Sequence, residues 1–348
     1  RFRIFDIQIH KDSECIVLRD EEKNDIEYQD TDETVRMRGF LRLFNYMLRH
    51  AHIDCSHLDQ SSVTKSDGSI IQVEHHHKFV KRIFSRGSWT QGGRFYGGFW
   101  QNIPTEHRKY IRIDGERTVE TDFKGLHINL LYAQKGIDYF DEYGFRAKPY
   151  EVHIPSVPHK TDRKWLIKGL ILTAINAGNE TEAFRAFQKE ANFKGRKIDG
   201  VRFTFDFLRS VLHALRKKHQ PIADMLCSGV GIDLQYTDSQ ITERILQHFA
   251  RDGVVVLPVH DSYIIAERHS ESLRRAMYNS WAIEAGMIKD DSVAARLNLD
   301  SGFTAVEQNG YVDELYPDDI VGHNQIIAEK AEEYVSPRYQ HGLKQFQH

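Results

Sequence analysis

Val254-Val-Val-Leu-Pro-Val-His-Asp-Ser-Tyr-Ile-Ile-Ala266 is an apolar run broken once, at His260-Asp261-Ser262. Two short apolar, β-branched stretches around a polar break predict two strands of a hairpin. Asp261 then sits at a turn inside apolar surroundings, where a carboxylate costs several kcal/mol unless it is paired or bound to a cation. A second carboxylate has a similar setting. Thr118-Val-Glu-Thr-Asp122 predicts a short strand, and Lys124 to Ala133 a helix with Leu126, Leu130 and Leu131 on one face. Asp122 therefore ends a strand just before a helix. Two such aspartates brought together suit hard divalent ions, and Mg²⁺ keeps its other positions for water and phosphate oxygens. A pair of ions ~3.5–4 Å apart serves in-line phosphoryl transfer. Taken singly, each Asp reads more readily as a turn or cap residue.

Outward from these strands, residues 78–117 are basic and aromatic. Lys78, Lys81, Arg82, Arg86, Arg94, Arg108, Lys109, Arg112 and Arg117 are interleaved with Trp89, Phe95, Tyr96, Phe99 and Trp100 and with paired glycines. That mixture suits a phosphate backbone with bases stacked nearby; a Gly-rich surface hairpin with solvated charges is the plainer alternative. Helices are expected over Val35–Ala51, Asp162–Ala177, about 180–192, 203–218 and 270–285. A further helix is expected from Thr237, whose spacing to Gln240 resembles a capping box, with Ile241, Ile245 and Phe249 as its apolar face. Strands are expected from Phe2 to Ile9 and from Cys15 to Leu18. The acidic stretch Asp20–Glu33 and the polar stretch Asp59–Asp67 are expected to be loops. Glu74-His75-His76-His77-Lys78 invites a metal reading, but adjacent strand residues face opposite ways and no complementary Cys or His spacing accompanies them, so a basic surface segment is expected.

The chain has 348 residues, 40% apolar and 28% charged, which is the length of about two domains and the composition of a globular protein. No run approaches the ~18 apolar residues of a membrane span. The chain opens with no secretory pattern, although a first residue other than Met is compatible with trimming. Cys15, Cys55 and Cys227 are odd in number and far apart, against a disulfide framework or a cysteine zinc site and in keeping with a cytoplasmic location. Net charge is −3, so nucleic acid would have to be held by a local basic surface. Walker, nucleophile-elbow and dinucleotide fingerprints are missing.

Several stretches carry a family resemblance. Gly92-Gly-Arg94-Phe-Tyr-Gly-Gly-Phe-Trp-Gln101-Asn102-Ile-Pro104 resembles the Thr-Gly-Arg…Gln-Asn-Ile-Pro segment of family A DNA polymerases. Val119 to Ala133 resembles that family's motif A, and Leu257-Pro-Val-His260-Asp261-Ser262-Tyr263 its motif C. The His-Asp-Ser form of motif C is closer to single-subunit phage-type RNA polymerases than to the His-Asp-Glu of the DNA enzymes. Leu234-Gln235-Tyr-Thr-Asp-Ser-Gln-Ile241 is similar to the Gln-initiated helix before motif C. Lys164, Lys168 and Asn176 stand at the spacing of the nucleotide-binding fingers helix, motif B, with Asn in place of a Tyr and Ala177 in place of a Gly.

The resemblance implies an α/β (α+β) right hand: a palm sheet from residues 91–135 and 230–300, helical fingers from 136–229, a reduced thumb-like region in 1–90 and a C-terminal tail from 301. It implies a template-directed nucleotidyltransferase acting on a nucleic-acid primer–template and nucleoside triphosphates. Asp122, Asp261 and the Phe123 carbonyl would hold two Mg²⁺ ions, with Mn²⁺ a possible substitute. Lys168 would pair with the triphosphate and protonate pyrophosphate, and Arg163 or Lys164 would reach the outer phosphates. His127 and Asn176 would flank the sugar. His260 would meet the primer-terminal phosphate; Arg94, Gln101 and Asn102 would hold primer and template, and Gln235 the minor-groove side of the terminal pair.

The departures bear on the nucleotide. The DNA enzymes carry a Glu five residues after the motif A Asp; here that position is His127, and Asn176 replaces the neighbouring Tyr. Both changes leave room for a ribose, so an RNA polymerase, a primase-like enzyme and a template-independent terminal transferase stand as alternatives. A two-metal nuclease and a non-catalytic nucleic-acid-binding module are less favoured. No proofreading domain is expected in the residues before Gly92, and a reduced thumb predicts low processivity.

Overall fold

In a computed structural model, residues 14–73, 78–144, 147–287, 321–322 and 335–347 are described. The expected Phe2–Ile9 strand, the histidines of 74–77 and the stretch from Asn309 to 320 lie outside them. The fold is mixed α/β and divides into two compact units. The first takes the described residues up to Lys124, Tyr236–Glu284 and those from 321 onward; the second takes Gly125–Gln235 and 285–287. These cuts differ from the sequence boundaries at 135/136 and 229/230.

The first unit opens with β1 (Ile16–Arg19), β2 (Asp25–Ile26) and helix α1 (Asp32–His50). A reciprocal Thr31–Thr34 capping box starts α1, Asp32 and Glu33 complement its N-terminal dipole, and Met37, Leu41, Phe44 and Leu48 are buried. Each of those side chains contributes about 1.5–3 kcal/mol by leaving water. After β3 (Ile53–Cys55), the stretch expected as a polar loop is instead the edge of a small hairpin, β4 (Ser62–Thr64) with β5 (Ile70–Gln72). Its turn is closed by Asp67, whose carboxylate accepts from the Ser69 amide.

β6 (Lys81–Ser85) and β7 (Ser88–Tyr96) follow and join β1 and β2 in a four-stranded sheet, order β2-β1-β6-β7. The β6–β7 register shifts so that Ile83 opposes Arg94 and Phe84 opposes Gly92, leaving Gly93 bulged. Gly93 has φ 75°, and a Cβ there would lie 2.7 Å from the Phe84 ring, so only glycine suits the position. Short helices α2 (Phe99–Asn102) and α3 (Thr105–Arg108) lead to β8 (Ile111–Ile113) and β9 (Glu116–Phe123).

The second unit is helical: α4 (Leu126–Gln134), α5 (Tyr139–Tyr143), α6 (Lys160–Asn176), α7 (Glu180–Phe193), α8 (Phe205–Lys218) and the first residues of α9 (Gly231–Arg251). Leu166, Ile167, Leu170, Ile171, Ala174 and Phe184 form its buried centre. α9 begins six residues before the expected start, because Leu234 continues its buried stripe; Thr237 lies inside the helix and is no cap.

The rest of α9 returns to the first unit, followed by β10 (Val256–Val259), β11 (Ser262–Ala266) and α10 (Ser270–Glu284). The second sheet runs β10-β11-β9-β8-β3, and β12 (Val321–Gly322) pairs with the end of β9. α11 (Pro337–Gln347) is pinned to β3 by an Arg338–Asp54 ion pair at 2.6 Å. Among the described residues, no helix is long and apolar enough to cross a membrane.

Candidate active site

The hairpin β10–β11 turns in two residues, His260 and Asp261, between the paired Val259 and Ser262. His260 takes φ 57°, a left-handed conformation that costs a non-glycine residue energy and that a tight hairpin demands. β11 lies antiparallel to β9 with Ser262 opposite Asp122, and the Phe123 amide donates to the Asp261 carbonyl at 3.3 Å. The backbone ladder alone thus places Asp122 beside Asp261. Both are half-buried, Asp122 one residue before the end of β9 and Asp261 in the turn between β10 and β11, whose own side chains are buried.

Around them the polar groups are paired. Glu120, two residues before Asp122 on the same face of β9, accepts from the Ser262 hydroxyl at 2.8 Å and from Arg108 Nε at 2.9 Å. Pro258 belongs to the edge strand β10, where a residue without an N–H is tolerated. Its carbonyl accepts from Trp100 Nε1 at 3.0 Å and Gln101 Nε2 at 2.9 Å. Gln101 also donates to the Phe95 carbonyl and accepts from the Gly97 amide. This side chain, expected on primer or template, is engaged in bracing the edge strand. Asn102 stays exposed, with a long 3.4 Å bond to the Gly98 carbonyl.

Arg94 comes from β7 and grips Asp238 of α9: Nε lies 2.7 Å and Nη2 2.6 Å from Asp238 Oδ2. Burial works against the guanidinium charge, but the Asp238 carboxylate outweighs it and raises the Arg94 pKa. Asp238 is fully buried, and desolvation pushes its carboxyl up to about 6; Arg94 opposes this and nearby Asp261 adds to it. His260 is pushed below its ordinary value, first by desolvation of the ring and then by Arg94, with Asp261 pulling the other way. Asp238, Arg94, Asp261 and His260 therefore form one electrostatic cluster.

Of the basic residues counted toward a nucleic-acid surface, two are interior, which corrects the sequence expectation. Lys78 is 2% exposed and donates to the Ala51 carbonyl at 2.6 Å, beyond the end of α1. Arg82 is 1% exposed, bonds Glu243 at 2.5 Å and lies beside the rings of Phe84 and Phe95. Alternating burial along β6 puts Arg82 inside, a phase that composition does not reveal.

The other expected residues belong to the second unit. Lys164, Lys168 and Asn176 share the exposed side of α6, and Lys168 Nζ lies 5.9 Å from the centre of the Tyr150 ring. Arg163 donates to the Val157 and Pro158 carbonyls and braces the approach to α6. Asn176 donates to the Leu172 carbonyl at 2.8 Å and accepts from Gln235 Nε2 at 3.4 Å, so two residues assigned separately meet. Gly231 permits that approach: a Cβ there would fall 2.2 Å from Asn176 Oδ1. His127 is in the first turn of α4, half-buried, after Gly125 at φ 68°.

Asp122 and Asp261 suit a divalent ion. They offer hard oxygen donors on adjacent backbone segments, and two further carboxylates nearby are engaged, Glu120 by Arg108 and Ser262 and Asp238 by Arg94. Among the described residues, no group of three or more His, Cys, Asp or Glu gathers to hold a metal. A pair of carboxylates leaves most positions to water and phosphate, the arrangement Mg²⁺ accepts.

No protein-family model matches the chain, and no curated protein matches it.

Sequence reasoning assigned no role to Asp238 or Glu120. A signal for Asp238 was present: Leu234, Asp238, Ile241 and Ile245 recur at helical spacing, so an aspartate occupies the buried stripe of α9. Glu120 had the analogous signal, two residues before Asp122 in an alternating strand.

Proposed function

We propose that the chain is a template-directed nucleotidyltransferase with a palm of the family A polymerase type, built as a right hand. The observation that carries this reading is the register of β9 against β11. The strand ending in Asp122 is the direct neighbour of the hairpin carrying Asp261, as a palm requires, although the two are remote in sequence. A nuclease would use the same carboxylates, but hydrolysis has no use for the exposed Lys164–Lys168 face of α6.

In this reading Asp122 and Asp261, with the Phe123 carbonyl, hold two Mg²⁺ ions; when bound, these supply charge neutralisation at the attacking hydroxyl and the triphosphate. Arg94 and Asn102 orient the primer–template, and His260, held at the turn, meets the primer-terminal phosphate. Lys168 Nζ pairs with the triphosphate and gives a proton to the departing pyrophosphate as the primer 3′-hydroxyl loses its proton to water, its oxygen bonds to the α-phosphorus and the bond from that phosphorus to pyrophosphate breaks. Lys164, or its neighbour Arg163, serves the outer phosphates, and Gln235, steadied by Asn176, lies against the terminal pair. With His127 in place of a Glu, ribonucleotides are accepted beside deoxyribonucleotides.

The test is extension of a labelled primer on DNA and RNA templates, with Mg²⁺ or Mn²⁺ and either dNTPs or NTPs. Template-dependent lengthening that disappears in Asp261→Ala supports the proposal. Shortening of the primer transfers the aspartates to nuclease chemistry, and lengthening without a template to terminal transfer. Rejection of all four NTPs removes the role given to His127.

A further inference from the structure

We propose that Asp238 is a positioning residue, which grips the Arg94 guanidinium from α9 and fixes that cation beside Asp261, where it meets the nucleic-acid backbone. What Arg94 meets rests on the polymerase reading; the grip itself does not.

The part of α9 that packs on the sheets of the first unit is polar where its periodicity calls for apolar residues. Asp238, Ser239, Thr242 and Glu243 are all buried. Asp238 holds Arg94 of β7, Ser239 and Glu243 hold Arg82 of β6, and Thr242 meets the Tyr263 hydroxyl of β11 at 2.9 Å. Buried ion pairs can often be replaced by packed apolar side chains without loss of stability, so cohesion alone does not account for this seam. Its two ends differ. The Arg82 end is closed, with Nε on the Gly93 carbonyl, Nη1 on Glu243, Nη2 on Ser239 and the Phe84 and Phe95 ring centres 4.9 and 5.0 Å from the guanidinium carbon. At the other end the Arg94 side chain is 19% exposed.

The geometry of the grip is one-sided. Nε and Nη2 converge on Oδ2, while Oδ1 is buried without a hydrogen-bond partner. Leaving a buried carboxylate oxygen unsatisfied is unfavourable and calls for an explanation. Holding one face of the guanidinium in a single orientation is what the arrangement accomplishes. The bulge at Gly93 serves it, since a Cβ there would come within 2.9 Å of Ser239 Oγ and push β7 off α9.

The experiment uses the full chain and the near-isosteric Asp238→Asn, with Arg94→Gln and the double variant, and follows primer–template binding by anisotropy across a salt series. Asp238→Asn removes a negative charge, so a field effect alone would tighten binding to nucleic acid. Positioning requires the reverse: binding about tenfold weaker in each single variant, a salt slope lower by about one contact, and no further loss in the double variant. Binding of Asp238→Asn equal to or tighter than wild type, or losses that multiply in the double variant, would overturn the proposal. If the wild type binds and extends no primer–template, the polymerase reading falls, and the grip is judged on the Arg94 Nε–H resonance. A slowly exchanging Arg94 Nε–H that becomes fast-exchanging in Asp238→Asn supports it. An unchanged resonance overturns it, and the same comparison serves if Asp238→Asn melts early.

Discussion

The two units hold their candidate residues in different ways. In the sheet unit, Asp122 and Asp261 inherit their positions from a ladder: Ser262 opposite Asp122, and the Phe123 amide on the Asp261 carbonyl. In the helical unit, Lys164 and Lys168 stand on the exposed side of α6, each a charge on a flexible stem. A position set by register cannot drift unless strands separate, whereas a lysine head samples a volume. On the polymerase reading proposed above, the difference separates what must be placed within a fraction of an ångström from what need only supply charge.

The largest expected effect follows from that. Asp261→Asn or Asp122→Asn keeps the ladder and the shape while removing a carboxylate, so on the proposed polymerase reading primer extension is expected to fall by roughly a thousandfold or more, several kcal/mol of barrier. Melting moves little, because both residues are half-buried, one near a strand end and one in a turn. Steady-state extension beside calorimetry checks it. A large fall in melting temperature with partial retention of activity would make the aspartates structural and erase the contrast between the units.

On the same reading, Lys168→Ala is expected to cost about a hundredfold in the rate of extension, the range for loss of a general acid, and Lys168→Arg to restore part of it by returning the charge. Lys164→Ala raises the nucleotide KM about tenfold, the worth of one charge-assisted contact. If Lys168→Arg is as inactive as Lys168→Ala, the lysine is placed as strictly as the aspartates.

The sequence disclosed the hairpin, the strand ending at Asp122 and the long helices, because apolar periodicity is local and each of these elements has it. The apolar runs on either side of His260-Asp261 and the stripe of Leu126, Leu130 and Leu131 needed no partner to be read. Pairing was harder. That Ser262 lies opposite Asp122, that Asn176 meets Gln235 and that Arg82 turns inward are contacts between segments far apart in the chain, and a single sequence does not record them. Asp238 shows the remaining difficulty: a charge on an apolar stripe reads as an interruption until its partner is known. The start of α9 was misplaced for a related reason, since Thr237 has the spacing of a cap while Leu234, before it, is already packed.

The helical unit contains a pH-sensitive element of its own. His219 is fully buried; Nε2 faces the Pro149 carbonyl at 2.9 Å and Nδ1 faces the Tyr132 hydroxyl at 3.1 Å, which suits a neutral ring donating through Nε2. Burial depresses its pKa to about 4. The unfolded chain takes up the proton first as pH falls, so the stabilisation is present above about 6.5 and is lost between there and about 4. The loss amounts to about 3 kcal/mol when complete. NMR titration should find His219 uncharged at pH 5.5, with protection in α8 declining from about pH 6.5 toward about 4. A normal titration near 6.5 would show that the ring is solvated.

The smallest effects sharpen the comparison most cleanly, because each touches one unit. Thr31 caps α1 by accepting from the Thr34 amide, and Asn179 caps α7 by accepting from the Glu182 amide. Replacing either by Ala leaves one helix-start amide without its partner and costs about 1 kcal/mol. In native-state hydrogen exchange, Thr31→Ala should loosen α1 and leave α7 unchanged, and Asn179→Ala should do the opposite. Exchange that rises in both helices for either variant would mean that the units open together. The contrast between a register-set pair and a solvated lysine face would then belong to one cooperative structure, with the placement of Lys168 tied to the same opening that exposes the aspartate sheet.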